Sequence, residues 1–172
     1  MQLILKAFID VFLLRKGPDD LPKSSLLLAV AIGMSIVVNF LFYAIIESEL
    51  PTNLFLEFAT ELVKITSYLL ILVVFGLVSR IMQTMTAIIA CNAILGLLLT
   101  VILMVSQQFL NKELDAAFAW FITCWLILVE GHIISRAAQL HRVTGIAIAV
   151  VIFILQLGFY FTFGVFPEGP VG

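Results

Sequence analysis

The feature of this sequence that most constrains its fold is a series of apolar runs, each about as long as a bilayer is thick. A helix needs roughly 20 apolar residues to cross the hydrocarbon core. Five segments reach that length, at about 24–46, 56–79, 82–105, 115–137 and 143–166. They predict an all-α membrane protein with five transmembrane helices, followed by a short polar tail over residues 167–172.

Composition favours the bilayer as the solvent for most of the chain. Of the 172 residues, 63% are hydrophobic and 12% are charged, whereas about 25% are charged in typical soluble domains. A soluble protein of this size keeps a large water-facing surface and could not hide so many apolar side chains. Cys91 and Cys124 lie inside apolar runs without metal-ligand spacing, so no disulfide, metal or cofactor is expected.

The distribution of charge predicts the orientation in the membrane. Lys and Arg in short loops prefer the cytoplasmic side. With the N-terminus inside, seven of the nine basic residues lie on that side, and only Lys64 and Lys112 lie on the other. The sequence therefore predicts a cytoplasmic N-terminus and an external C-terminus. The net charge of −2 includes no basic patch, so a nucleic-acid partner is not expected.

Residues 1–23 precede the first predicted span and have a different character. Gln2, Lys6 and Asp10 are spaced by four and form one polar stripe on a helix. Residues 1–16 would be about 24 Å long as a helix, which is short of a span. They predict an amphipathic helix at the interface, with its apolar side in lipid or against the bundle. A charged elbow containing two prolines follows, up to residue 23.

The elbow has two interpretations. It is a rigid connector in which Asp side chains bond nearby amides, or it is an epitope that binds a partner or lipid head groups. Its charged residues are Arg15, Lys16, Asp19, Asp20 and Lys23.

A second set of charged residues lies at or near the cytoplasmic end of the predicted spans. Glu130 is six residues before Arg136, about 9 Å of helical rise. His132 and Arg136 are four apart and share a helical face, from which Glu130 points away. Arg80 is therefore the predicted partner of Glu130. The set is interpreted as a structural ion pair or, alternatively, as a proton-relay or ligand site around Glu130 and His132.

A third set lies in the early turns of the second predicted span. Glu57, Glu61 and Lys64 occupy positions i, i+4 and i+7 of one helical face. Such a ladder is typical of a packed ion-pair stripe. The alternative is a vestibule through which cations enter on the outer face.

Small residues four apart predict where helices approach closely. Four such pairs are present: Ala29/Gly33, Gly131/Ser135, Gly145/Ala149 and Gly158/Thr162.

Two short motifs resemble the Yip domain family of small five-span membrane proteins, in particular its uncharacterised bacterial members. The first is Leu13-Leu14-Arg15-Lys16-Gly17-Pro18-Asp19-Asp20-Leu21-Pro22. The second is Gly131-His132 followed by Arg136-Ala137 in the fourth predicted span. The resemblance implies the fold and a bacterial inner-membrane location, but no established activity. The eukaryotic members' DLYGP motif is matched only by Gly17-Pro18, so GTPase binding is not implied.

No catalytic signature such as GxSxG, HExxH or a Walker A motif occurs. The sequence therefore favours a non-enzymatic scaffold, assembly factor or accessory subunit. Its expected partners are the lipid bilayer and either another membrane protein or further copies of the chain. The alternative is a transport component that moves a proton, ion or lipid through a site around Glu130 and His132.

Overall fold

The computed structural model describes residues 11–15, 17–46, 54–109 and 112–164, and these residues contain helices and no strand. The helices are α1 (Ser25–Ile46), α2 (Leu54–Val74), α3 (Ile81–Phe109), α4 (Lys112–Ala137) and α5 (Arg142–Phe163). Short 3₁₀ turns at Pro18–Asp20 and Val78–Arg80 precede α1 and α3. The predicted all-helical fold is therefore confirmed.

Four segments of this fold are long and apolar enough to cross a membrane. They are Ser25–Ile45, Val78–Ser106, Leu114–Ala137 and Arg142–Phe163. They support an integral membrane protein. The remaining helix, α2, has 21 residues but carries Glu57, Glu61 and Lys64, and it is not one of the four.

The end of α2 differs from the predicted boundary at residue 79. The helix ends at Val74 because Gly76 adopts a left-handed conformation with φ of 70°. The Leu77 amide then donates to the Leu72 carbonyl at 2.8 Å, and the Gly76 amide donates to the Val73 carbonyl at 2.9 Å. These bonds form a Schellman-type cap. The cap separates α2 from the 3₁₀ turn that leads into α3.

The helices surround a core to which α3 contributes most. α3 packs against α1 on one side and α4 on the other, α4 packs against α5, and α5 packs against α2. Buried residues near the middle of this arrangement include Leu72, Ile88, Ile133 and Ile152. Because α1 is attached chiefly to α3, most of its large apolar side chains are exposed, as expected for a helix that faces lipid.

The seam between α4 and α5 is a close helix contact. A Cβ atom on Gly131 would lie 2.6 Å from the Cα of Ile146, and one on Gly145 would lie 2.6 Å from the Cβ of Ser135. Ala149 is fully buried along the same seam. Two of the four predicted small-residue pairs therefore make this close approach. Gly33 and Gly158, from the other two pairs, have no atom within 4 Å of such a position.

The segment before α1 packs on the bundle. Val11 is fully buried, and the ring of Phe12 lies 6.5 Å from the ring of Trp125. Trp125 is about 16 Å of helical rise from Arg136, near the end of α4. At Phe12 this segment thus contacts α4. Residues 1–10 and Lys16 lie outside the described residues, so the amphipathic helix itself stays a prediction.

Candidate functional site

A cluster of charged and polar side chains lies in the interior between α2 and α4. The Nζ of Lys64 is 2.8 Å from the Oε2 of Glu61 and 3.7 Å from the Oε1 of Glu130. The hydroxyl of Tyr68 donates a hydrogen bond of 2.8 Å to the Oε2 of Glu130. Lys64 is 5% exposed, Glu130 is 4% exposed and Tyr68 is fully buried. We call Glu61, Lys64, Tyr68 and Glu130 the interior cluster.

Helical spacing explains the three members on α2. Glu61, Lys64 and Tyr68 are three and four residues apart, so their side chains project from one face. α2 and α4 are not close neighbours, because α2 packs mainly on α5 and α4 packs between α3 and α5. The long side chains of Lys64 and Tyr68 span the distance between α2 and α4 to reach Glu130. The interior cluster is therefore the main polar link between the two helices.

The interior cluster is not fully satisfied. Buried charges are stable only when they are paired and hydrogen-bonded. The ammonium of Lys64 is the cation for both Glu61 and Glu130. Its distance of 3.7 Å from the Oε1 of Glu130 is too long for a hydrogen bond. Among the described residues, the Oε1 atom of Glu130 has no hydrogen-bond partner. The interior cluster thus contains a buried carboxylate oxygen that accepts no hydrogen bond from the described residues.

The predicted partner of Glu130 was wrong. The Nη1 of Arg80 donates to the backbone carbonyl of Ala137 at 2.8 Å, and the ion-pair contact of Glu130 is with Lys64. Arg80 thereby satisfies a carbonyl at the C-terminal end of α4, where cations are favourable. Glu130 is instead held by residues of α2. Glu61 and Lys64 of one predicted set and Glu130 of the other therefore share one site.

The other two predicted members of the cytoplasmic set lie further along α4. His132 is buried in α4. Arg136 is exposed, and its side chain packs beside Gly17, where a Cβ atom would lie 3.1 Å from it. Tyr68 is the member that sequence reasoning missed. The sequence feature that could have indicated it is its position four residues after Lys64, on the same helical face.

The elbow is held by the backbone and by α3. The Leu21 amide donates to the Pro18 carbonyl at 3.1 Å, and the Nε2 of Gln83 donates to the Leu21 carbonyl at 2.5 Å. Pro18 and Leu21 are buried. The charged side chains that the structure describes here are exposed, namely Arg15, Asp19, Asp20 and Lys23. Within the described residues, the Asp side chains do not form the local amide bonds that the connector interpretation assumed.

A groove of about 1060 Å³ separates α1 from α2, with α3 as its floor. The lining is mostly apolar and includes Ile32, Ile36, Met82 and Met85. Its polar side chains are Ser35, Asn39, Glu57, Thr60, Glu61 and Tyr160. Glu61 belongs both to the groove wall and to the interior cluster. The groove therefore reaches one end of the buried charge pairing, while Glu130 does not line it.

The groove is elongated along the helices. From Leu28 to Phe40 it follows α1 for twelve residue steps, or about 18 Å of rise. That length is close to one leaflet of a hydrocarbon core of about 30 Å. The acidic residues lie within the first eight residues of α2, so the polar side chains concentrate towards one end.

No protein-family model, curated protein or solved structure matches this chain. Within the described residues, no group of three or more His, Cys, Asp and Glu side chains is arranged to hold a metal ion. Function is therefore inferred from the groove and the interior cluster.

Proposed function

We propose that the chain is a non-enzymatic integral membrane protein that binds lipid in the groove between α1 and α2. It would serve as an accessory or organising component of a membrane assembly. The observation that carries this proposal is the apolar groove of about 1060 Å³ with acidic residues at one end. Sites for small ligands are typically apolar concavities of about 300–1,000 Å³ with a few polar groups that fix orientation.

The surroundings of the groove support a lipid as its occupant. Ile36 and Phe40 of α1 line it and are also exposed on the surface. In a bilayer these side chains would contact acyl chains. A lipid could thus enter sideways from the leaflet whose thickness the groove matches, without leaving an apolar environment.

The proposal includes α2 as a fifth span. Its 21 residues cover about 31 Å as a helix, and Lys64 is buried between two carboxylates instead of facing lipid. Five spans would place the two ends on opposite sides, and the bias of Lys and Arg would place the N-terminus in the cytoplasm and the C-terminus outside, in a bacterial inner membrane. The Yip-like resemblance remains part of this proposal. Reporters fused at residues 1 and 172 are expected to report from opposite compartments, and reporting from one compartment would rule out five spans.

The lipid-binding proposal is tested by filling the groove. Ile36→Trp places a large ring in the groove, whereas Val37→Trp places the same ring on the same helix outside it. Both positions are 58% exposed. Native mass spectrometry after extraction in mild detergent should show bound lipid in the wild type and in Val37→Trp, and several-fold less in Ile36→Trp. Equal lipid retention in both variants would contradict the proposal.

A transport component that moves a proton or ion is the second candidate. The observation that favours it is the continuous contact from Glu61 in the groove wall through Lys64 to Glu130 and Tyr68. Proteoliposomes that contain a pH-sensitive dye would test it. If this candidate is right, the wild type conducts protons and Glu130→Gln abolishes the flux at normal protein abundance. Wild-type vesicles that are no leakier to protons than empty ones would eliminate proton transport.

A further inference from the structure

Basic side chains gather at the end of the bundle where the elbow lies. The Nη1 of Arg80, just before α3, donates to the Ala137 carbonyl at the end of α4, and the elbow packs against both helices. α5 begins four residues after α4 ends, so it starts at the same end. We call the basic residues of this region the basic end, namely Arg15, Lys23, Arg80, Arg136 and Arg142. They are dispersed in the sequence, and the fold brings them together.

The basic end lies at the depth expected of lipid head groups. Arg142 is the first residue of α5, and Arg136 is the residue before the last one of α4. Both helices are long and apolar enough to cross a membrane. Residues at the ends of such helices lie where the hydrocarbon core meets the phosphates. Lys23 is two residues before α1, and it is exposed, as are Arg136 and Arg142.

The basic end is not balanced by carboxylates of the protein. Among the described residues, none of its five cations forms an ion pair. Arg80 is partly buried, and its bond to the Ala137 carbonyl uses one of the five N–H donors of a guanidinium. The described carboxylates of the elbow are Asp19 and Asp20, and both are exposed. Five cations and two anions leave an excess of positive charge, so an anionic ligand would be favoured here.

The elbow positions one of these cations. A Cβ atom on Gly17 would lie 3.1 Å from both the Cβ and the Nε of Arg136, so the absence of a side chain at Gly17 lets Arg136 lie across the elbow. The Oδ1 of Asp19 approaches the same point. A ligand that binds Arg136 would therefore be repelled by Asp19 if it is an anion, and this repulsion makes the sign of the ligand's charge testable.

We propose that the basic end binds the phosphate of an anionic phospholipid, with Arg80, Arg136 and Arg142 as charged donors. Guanidinium groups form strong hydrogen bonds with phosphate, and several Lys or Arg at one end of membrane spans are typical of anionic-lipid recognition. This site is separate from the groove, whose described lining contains none of the five basic residues. An acidic soluble protein is less favoured, because the cations lie at the ends of the spans and do not project from a soluble domain.

The probe is a pair of phospholipids that share acyl chains and differ in head-group charge. Purified protein is reconstituted in nanodiscs with equal phosphatidylglycerol and phosphatidylethanolamine and extracted in mild detergent, and its retained lipid is measured by mass spectrometry. The wild type should retain the anionic phosphatidylglycerol in excess. Ile36→Trp, which fills the groove, should keep this excess because the basic end is unchanged.

Variants of opposite sign test the site itself. Arg136→Gln should lower the ratio of phosphatidylglycerol to phosphatidylethanolamine about fivefold, the effect of one basic side chain at a membrane surface, and Arg136→Lys should lower it less. Asp19→Asn should raise the ratio. Lys112→Gln removes one positive charge at the other end of α4 and should leave the ratio unchanged. Arg142→Gln is a second test at an exposed residue, and size-exclusion chromatography checks that each variant is folded.

Four results would overturn the proposal. Equal retention of the two lipids by the wild type would leave an acidic protein as the ligand of these residues. A fall in Lys112→Gln as large as in Arg136→Gln would mean that net charge alone attracts the lipid. Loss of the excess in Ile36→Trp would move the anionic lipid to the groove. Displacement of phosphatidylglycerol by inorganic phosphate would identify the free ion as the ligand, whereas retention supports the lipid.

The proposal and the groove function fail separately. If Ile36→Trp and Val37→Trp retain equal amounts of total lipid, the groove function fails, and an excess of phosphatidylglycerol that depends on Arg136 still supports the basic end. If the excess is absent but Ile36→Trp alone loses lipid, the basic end fails and the groove function stands.

Discussion

Two pairs of consecutive helices show opposite packing. α4 and α5 meet so closely that a Cβ atom on Gly131 would lie 2.6 Å from the backbone of Ile146. α1 and α2 instead leave a groove of about 1060 Å³ between them. Both pairs have surfaces that would permit close contact. α4 and α5 have small residues four apart, and α1 and α2 have apolar faces. The difference is that the charged face of α2 points towards the bundle interior, while α1 packs on α3.

The comparison shows what positions α2. Its link to α4 is the interior cluster, in which Lys64 contacts Glu61 and Glu130. Because an unpaired charge in the interior is costly, the orientation of α2 is one in which buried Lys64 lies near both carboxylates. The groove follows from this orientation.

Removing the central cation should have the largest effect on this arrangement. Lys64→Met leaves Glu61 and Glu130 without their ammonium, and breaking a buried pair costs about 3–5 kcal/mol. We expect a large loss of thermal stability in detergent. Lys23→Met, the same change at an exposed residue, should stay within about 0.5 kcal/mol.

A double variant sharpens this test. Lys64→Met with Glu130→Gln removes the carboxylate that is most deeply buried and should recover part of the stability. If the double variant is as unstable as the sum of the single variants, the pairing between α2 and α4 is not what holds α2.

The seam between α4 and α5 should be the next most sensitive to substitution. Gly131→Ala forces the backbones of α4 and α5 apart, and overpacking typically costs about 1–3 kcal/mol. Gly33→Ala is the matched change on α1, where nothing lies within 4 Å, and it should be neutral or slightly stabilising. Thermal unfolding in detergent measures both variants, and equal melting temperatures would remove the contrast between the two helix pairs.

Loss of the Tyr68 hydroxyl should have a smaller effect. Tyr68→Phe keeps the buried ring but removes the donor to Glu130, and an unsatisfied buried acceptor costs about 1–2 kcal/mol. Tyr160→Phe removes a hydroxyl from the groove lining and should change stability by less than about 0.5 kcal/mol. A Tyr68→Phe protein as stable as the wild type would mean that this hydrogen bond contributes little.

Substitutions of the exposed charged residues in the elbow should have the smallest effect on stability. Asp19→Asn with Asp20→Asn alters two exposed side chains and should leave stability within about 0.5 kcal/mol. Gln83→Ala removes the donor to Leu21 and should destabilise by about 1 kcal/mol. Unchanged crosslinked partners in the double Asp variant are expected of a connector, and lost partners would favour the epitope interpretation.

Much of the fold was predictable because the membrane imposes a length. Runs of about 20 apolar residues predict helices wherever they occur. Four of these helices are long and apolar enough to cross a membrane, and they lie within about four residues of their predicted bounds. The end of α2 was missed, because Gly76 lies inside an apolar run and its left-handed conformation is not visible in hydropathy. The shared face of Glu61 and Lys64 was predictable from spacing alone.

By itself, the sequence determined the helices, the charged face of α2 and the small residues that let α4 and α5 approach. Only the tertiary structure decided that Lys64 meets Glu130, that Arg80 bonds a carbonyl instead, and that α1 and α2 enclose a groove. The physical reason is that helical periodicity places a side chain on its own helix, but the neighbour of that helix depends on how all five pack together.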